Sequence, residues 1–472
     1  MSRTKKLLSN TVIFGVGQFA SKLMVYFLMP LYTAYLSASE SSVADFIQQT
    51  GNLLMPIAAI GIYDGLLRFA MDAGERRREY FSNSMAVLCA GSLIFIVLSP
   101  VIRIIDASGT LFGGLWWLVP LFVLTANMQI AVSYYVRSLG YTKIYAAQGI
   151  INTALTVLFN LLFLVVLDMN IAGFVLAVVF SNLIVTFILI IWLRLWRDMD
   201  VKLIKKETVR EMLKYSIPLI PTTLLWTLTS LTDRFLVRIY CSEEMNGLFV
   251  YAYKIPTVLT LVTTIFIEAW QLSAVNDADD SDRGGFFTTV FRNYMGLIFM
   301  AASALIAFSK IFAAVLLNES YFGAWEYMPT LIVATVFSAF STFTATVYMV
   351  KKKSVISFVT ALTGASVNIL LSWIFVGFMG VQGVALATII SYAVLFAYRL
   401  LTAKKYIDFS INLANLAINT LLISAQAVLM ILQPAGWIII QAAFMCAVLV
   451  FNGKPIINAV LMVLRRRKNS AG

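Results

Sequence analysis

The stretch "SLTDRFLVRIY" (230–240) puts Asp233, Arg234 and Arg238 within six residues of one another, with nearly pure hydrocarbon on both sides. On a helix, Arg234 and Arg238 share a face one turn apart. A guanidinium carries a rigid fork of N–H donors that suits phosphate and carboxylate oxygens. Asp233 can offset only part of that charge. The group is either an interfacial cluster at the outer rim of a span or a set of charges facing an internal cavity.

Other ionisable residues stand in similar surroundings. Lys22 lies midway along an apolar run, with Gln18 and Tyr26 one turn away on either side. Arg68 follows Asp64 by one turn. Lys254 and Glu268 are 14 residues apart, which is only ~40° round a helix. A charge at the centre of a bilayer costs at least ~2.5–3.5 kcal/mol, and such residues usually face a cavity. Plainer readings exist for each. Lys22 can bond helix carbonyls, and Arg68 can snorkel to the interface beside Asp64. Taken together, five cations (Lys22, Arg68, Arg234, Arg238, Lys254) stand against Asp64, Asp233 and Glu268. A net basic interior suits an anionic substrate and suits an organic cation poorly.

The elements that must hold these residues follow from composition. Of 472 residues 60% are hydrophobic and 12% charged, about half the charge of a soluble domain. Fourteen apolar runs approach the ~20 residues that a span needs. They lie near 9–36, 43–71, 81–105, 113–138, 144–167, 170–194, 215–240, 247–275, 287–308, 325–350, 354–378, 380–402, 411–432 and 434–451. The expected class is an all-α polytopic membrane protein of about 14 transmembrane helices.

With the N-terminus in the cytoplasm, 28 of the 35 Lys and Arg residues fall on the inner side and two, Arg103 and Lys310, on the outer. That is the positive-inside asymmetry. It predicts both termini cytoplasmic, and it accounts for the net charge of +12 as topology and contact with anionic lipid, with no nucleic-acid partner. "MSRTKK" plus the first run reads as an uncleaved span, since no small-residue cleavage site follows a short core.

There is no histidine, which excludes a histidine metal site, a Ser-His or Cys-His pair and a histidine proton relay. The three cysteines (Cys89, Cys241, Cys446) are scattered and give no disulfide framework. "NDADDSDR" (276–283) partly fits an Asp-rich magnesium-pyrophosphate motif, but one Asp is misplaced and no second motif appears. It reads as a solvated loop. No metal or cofactor is implied. Every loop is short, so no enzyme domain stands outside the membrane.

The chain is duplicated. "IAGFVLAVVFS" (171–181) matches "VQGVALATIIS" (381–391) at a spacing of 210, through Gly173/Gly383, Leu176/Leu386, Ala177/Ala387 and Ser181/Ser391. Lys143/Lys351 and Asn160/Asn368 match at 208. The offset is six runs, an even number, so the copies share one orientation, as in a parallel repeat. The expected organisation is a six-helix lobe at 1–200, a basic cytoplasmic linker at 201–214, a second six-helix lobe at 215–405, and at 406–472 an extra helix pair with a basic tail.

"PLYTAYLSASE", "SLTDRFLV", "YAYK" (251–254), "EAWQ" (268–271) and "VNILLSWIFVGFMGVQGVALATIIS" resemble, in order and spacing, the polysaccharide transporter (O-antigen flippase) family over about 7–405. Its superfamily also holds lipid II flippases and multidrug and toxic compound extrusion (MATE) proteins. The resemblance implies 14 spans in two bundles around a central cavity. It also implies alternating-access flipping of undecaprenyl-(pyro)phosphate-linked oligosaccharide across the bacterial cytoplasmic membrane. In the related lipid II flippases basic residues on spans 1, 2 and 8 serve the pyrophosphate; Lys22, Arg68 and Lys254 fall on those spans here. A lysine in place of arginine gives a point charge in place of a fork. The implied partners are the lipid-linked oligosaccharide, membrane lipid, and a polysaccharide polymerase and glycosyltransferases, with the protein itself a monomer.

The alternative within the superfamily is a multidrug or cation antiporter, which relies on buried carboxylates. A major-facilitator transporter also has parallel halves, but "RFAMDAGERR" (68–77) departs from its loop motif. The alternative of another class is a polytopic membrane enzyme of polysaccharide assembly. Acyltransferases of that kind need histidine, and polymerases usually carry a large outer loop.

Overall fold

The computed structural model describes residues 26–72, 74–276, 283–351 and 353–469, and no strand occurs among them. Among the described residues, nine helices are long and apolar enough to cross a membrane, or ten when one bent pair counts as a single span. The expected fourteen are roughly consistent with this, because the helix over 354–403 holds two runs, the run near 434–451 forms a shorter apolar helix, and most of the first run lies outside the described residues. Contacts divide the chain into two compact units, Met1–Arg234 and Phe235–Gly472.

The first unit begins with α1 (Met29–Tyr35), followed by α2 (Ala38–Ala58) and α3 (Ile62–Asp72). A capping box starts α2: the Ser37 hydroxyl accepts from the Glu40 N–H while the Glu40 carboxylate accepts from the Ser37 N–H. Pro56 and the left-handed pair Ile60–Gly61 (φ 50° and 61°) then end it, and the chain turns by 58° into α3. Next come α4 (Arg77–Leu98), α5 (Pro100–Ile105), α6 (Leu118–Ser138), α7 (Thr142–Asn160), α8 (Asn170–Trp192), α9 (Lys206–Ser216) and the first part of α10 (Ile220–Tyr240). Near the basic-loop end of this unit, Phe81 and Tyr135 stack at 3.8 Å within an apolar core that includes Ile62, Leu66, Leu189 and Met212.

The linker is docked onto this unit. Glu79 accepts from the Thr208 hydroxyl and pairs with Arg76 and Lys205, each at 3.0 Å. Asn83 donates to Leu203 O and accepts from Lys205 N, both at 2.9 Å. Tyr135 donates to Asp198 at 3.0 Å. At the end of α9 the Ser216 hydroxyl accepts from Gly65 N at 3.0 Å. The amphipathic segment therefore lies against α3 and α4 through these polar contacts and through Met212 and Leu213, which pack on the apolar core.

The second unit continues through α11 (Glu243–Ala252), α12 (Pro256–Asn276), α13 (Arg283–Leu316), α14 (Met328–Val350), α15 (Ser354–Ala403), α16 (Leu413–Leu432) and α17 (Trp437–Asn469). The 50-residue α15 is two runs joined at Gly380, whose φ of 58° and ψ of −135° are not helical. Aromatic rings form much of the core: Trp270 stacks on Phe343 at 5.3 Å, and Phe291, Tyr294 and Phe340 cluster around them.

The matched segments share their local geometry. Asn170 and Gly380, 210 apart, both take positive φ (47° and 58°) where one run turns into the next. A Cβ on Gly173 would meet Phe163 O at 3.1 Å, and one on Gly383 would meet Phe375 O at 2.3 Å. Glycine lets the two helices of each hairpin approach backbone to backbone. Asn160 and Asn368 are both buried, at 0% and 1% exposure.

Candidate functional site

Each charge of "SLTDRFLVRIY" has a definite setting on α10. Arg234 is buried and forms an ion pair through Nε with Asp45 of α2, which is also buried. Its Nη1 donates to Ser230 O at 3.0 Å and to the Ser230 hydroxyl. Arg238, likewise buried, pairs with Glu243 at the start of α11. Asp233 is 2% exposed. Thus both arginines of the stretch have carboxylate partners, Asp45 and Glu243. Sequence reading missed both. Asp45 lies at the edge of an apolar run and Glu243 in the short segment between two runs, so neither stood out as intramembrane.

Lys254 occupies the three-residue break between α11 and α12, half-buried. Its N–H donates to Tyr251 O at 3.0 Å and its carbonyl accepts from the Thr257 hydroxyl. Pro256, which lacks an N–H, begins the next helix. The lysine therefore stands where the backbone itself is interrupted. Arg68 is exposed on α3, and Asp64 is half-buried one turn before it. Among the described residues Asp64 makes no ion pair. Tyr26 is half-buried at the first described position. Gln18 and Lys22 lie outside the described residues, as do the side chain of Glu268 and residues 277–282 of the Asp-rich loop.

Among the described residues, a groove of about 450 Å³ in the first unit is lined by Leu88, Cys89, Leu93, Asn127, Met128 and Leu183, and one of about 470 Å³ in the second by Thr330, Met379, Gln382, Ser424, Val428 and Leu432. Neither lining includes a charged residue, whereas a smaller pocket of about 240 Å³ in the second unit is lined by Arg292 together with Thr288, Ser410, Asn412, Asn415 and Asn452.

One buried cation escaped the sequence reading. Arg399 is 5% exposed near the end of α15, although its position beside the basic loop suggested a solvated residue. Its side chain is bonded at Nε to the Thr360 hydroxyl and at Nη1 to the carbonyl and hydroxyl of Ser341, each at 3.1 Å.

These features define a multi-pass, all-helical membrane protein with charges held inside its helical units. The chain belongs to the family described as polysaccharide biosynthesis protein, whose pattern matches residues 7–270. Among curated proteins, no match is found. Its fold is that of solved transporters of the MATE and MurJ type. The lipid II flippase MurJ in an inward closed conformation is similar with a TM-score of 0.69 and 15% identity, over 95% of this chain and 100% of that one. An inward-facing multidrug resistance MATE family transporter of the MOP superfamily gives 0.63 and 14%, over 83% and 98%. A MOP superfamily transporter from Pyrococcus furiosus Vc1 gives 0.61 and 14%, over 84% and 94%.

Proposed function

We propose that the protein flips an undecaprenyl-(pyro)phosphate-linked oligosaccharide from the inner to the outer leaflet of a bacterial cytoplasmic membrane by alternating access. The observation that carries this reading is membership of the polysaccharide biosynthesis family across more than half of the chain. A MurJ-like fold is consistent with it. The buried cations add support, because arginine and lysine suit phosphate oxygens. In this reading Lys22, Arg68 and Lys254 serve the phosphate groups, with Gln18 and Tyr26 beside Lys22. Arg234 and Arg238 take their turn only after leaving Asp45 and Glu243. Asp64, Asp233 and Glu268 act as charge partners. Residues 1–200 and 215–405 act as the two lobes, 201–214 as their linker and 406–472 as an added helix pair. Both termini are cytoplasmic, and the partners are the lipid-linked substrate and the polymerase and glycosyltransferases of the same assembly.

The test is export in the source cell. Deleting the gene should leave lipid-linked glycan on the inner leaflet, unreachable by an impermeant glycosidase added outside, and re-expression should restore its digestion. Normal glycan export in the deletion strain, or restoration of drug resistance in place of glycan export, would sink the reading.

A further inference from the structure

Arg399 is a permanent charge buried among neutral groups. Of its five N–H donors, those used lie on Nε and Nη1, and their acceptors are Thr360 Oγ1, Ser341 O and Ser341 Oγ. Ser341 and Thr360 are themselves buried, at 1% and 0% exposure. No carboxylate pairs with Arg399 among the described residues. Tyr348 donates to the Arg399 carbonyl at 3.0 Å and so holds its backbone, leaving the charge untouched.

The fold does not require this charge. The 210-residue offset sets Leu189 of the first copy at the corresponding place, and Leu189 is buried in an apolar core at 2% exposure. Hydrocarbon therefore satisfies the position. A guanidinium there is costly, since neutral dipoles solvate it without cancelling its charge. Such a group is stabilised by an anion, and burial at 5% exposure admits only a small one. Among the described residues three donors are uncommitted: the two N–H groups of Nη2, and the proton of the Ser341 hydroxyl, which takes part only as an acceptor.

We propose that Arg399 and Ser341 hold a small inorganic anion of chloride size within the second unit. The anion would accept from Nη2 and from the Ser341 hydroxyl and would neutralise the site. This assignment goes beyond the flippase reading and does not rest on it.

The experiment needs no transport. The purified chain in detergent is unfolded by heat at constant ionic strength, with gluconate replaced stepwise by chloride, and tryptophan fluorescence gives the midpoint. A ligand bound only by the folded state raises the midpoint, by about 1–2 °C with chloride at about ten times its Kd for a chain of 472 residues. Arg399→Leu, which restores the residue type of the first copy, should abolish the response. Ser341→Ala, which keeps the guanidinium, should reduce it. An equal rise in wild type and Arg399→Leu would mean a general salt effect and overturn the site, as would a flat wild-type curve. If Arg399→Leu does not fold, Ser341→Ala decides: an unchanged chloride response in that variant overturns the proposal. A response to phosphatidylglycerol in mixed micelles with none to chloride also overturns it.

Discussion

Arg234 and Asp45 meet as a buried ion pair although 189 residues separate them in the chain. Both charges are buried, and the Ser230 carbonyl and hydroxyl also accept from the arginine. Removing one partner of such a pair strands the other and costs ~3–5 kcal/mol, whereas replacing both with hydrocarbon is often nearly neutral. Asp45→Ala should therefore lower the thermal midpoint sharply in detergent. Asp45→Leu combined with Arg234→Met should recover most of the loss. If the double variant is as unstable as the single one, the pair is not the source of the cost.

The transport role proposed for the same arginines is separable from their stability role. Arg234→Gln with Arg238→Gln should impair glycan export even in protein present at normal level. Export at the wild-type rate would make both residues anchors of α10 and nothing more.

The lysines should behave differently. Lys22→Gln is expected to abolish export more completely than the double arginine variant, and Lys22→Arg to retain part of it. Lys254→Gln should reduce export with little change in folding, because the lysine stands in a break that Pro256 maintains without it. Digestion of surface-exposed lipid-linked glycan by an impermeant glycosidase provides the readout. Full export by both Lys→Gln variants would remove them from the site.

Gly383→Ala should destabilise more than Gly173→Ala. The added Cβ would lie 2.3 Å from Phe375 O in the first case, against 3.0 Å from Met169 Cβ, its nearest neighbour, in the second. Overpacking of this kind costs ~1–3 kcal/mol. Gly377→Ala, with nothing within 4 Å, is the control. Melting temperatures that rank these three in any other order would contradict the backbone approach described for the hairpins.

Much of the fold was legible because the bilayer imposes length and apolarity on every span, and a duplicated sequence betrays itself at glycines that geometry demands. Gly173 and Gly383 were visible in the alignment for that reason. The partners of the charges were not. Asp45 reaches Arg234 only through the way α2 and α10 pack, and no spacing along the chain encodes that. Arg399 was hidden by its neighbours: a cation four residues before Ala403, with Lys404 and Lys405 just beyond, reads as one more basic loop residue until Ser341 and Thr360 enclose it.

The docking of the linker bears on how a duplicated gene becomes a single working chain. A connector between two copies could have stayed a passive tether, indifferent to its own residues. Here Glu79 and Asn83, which belong to the first copy, grip Lys205 and Thr208, so the tether has been annexed by one of the two segments it joins. Its usable slack is correspondingly small. The first unit itself runs on to Arg234, whose ion pair with Asp45 ties the first part of α10 to it as well, and any recombination that swaps one copy for a relative's must carry the connector with the first.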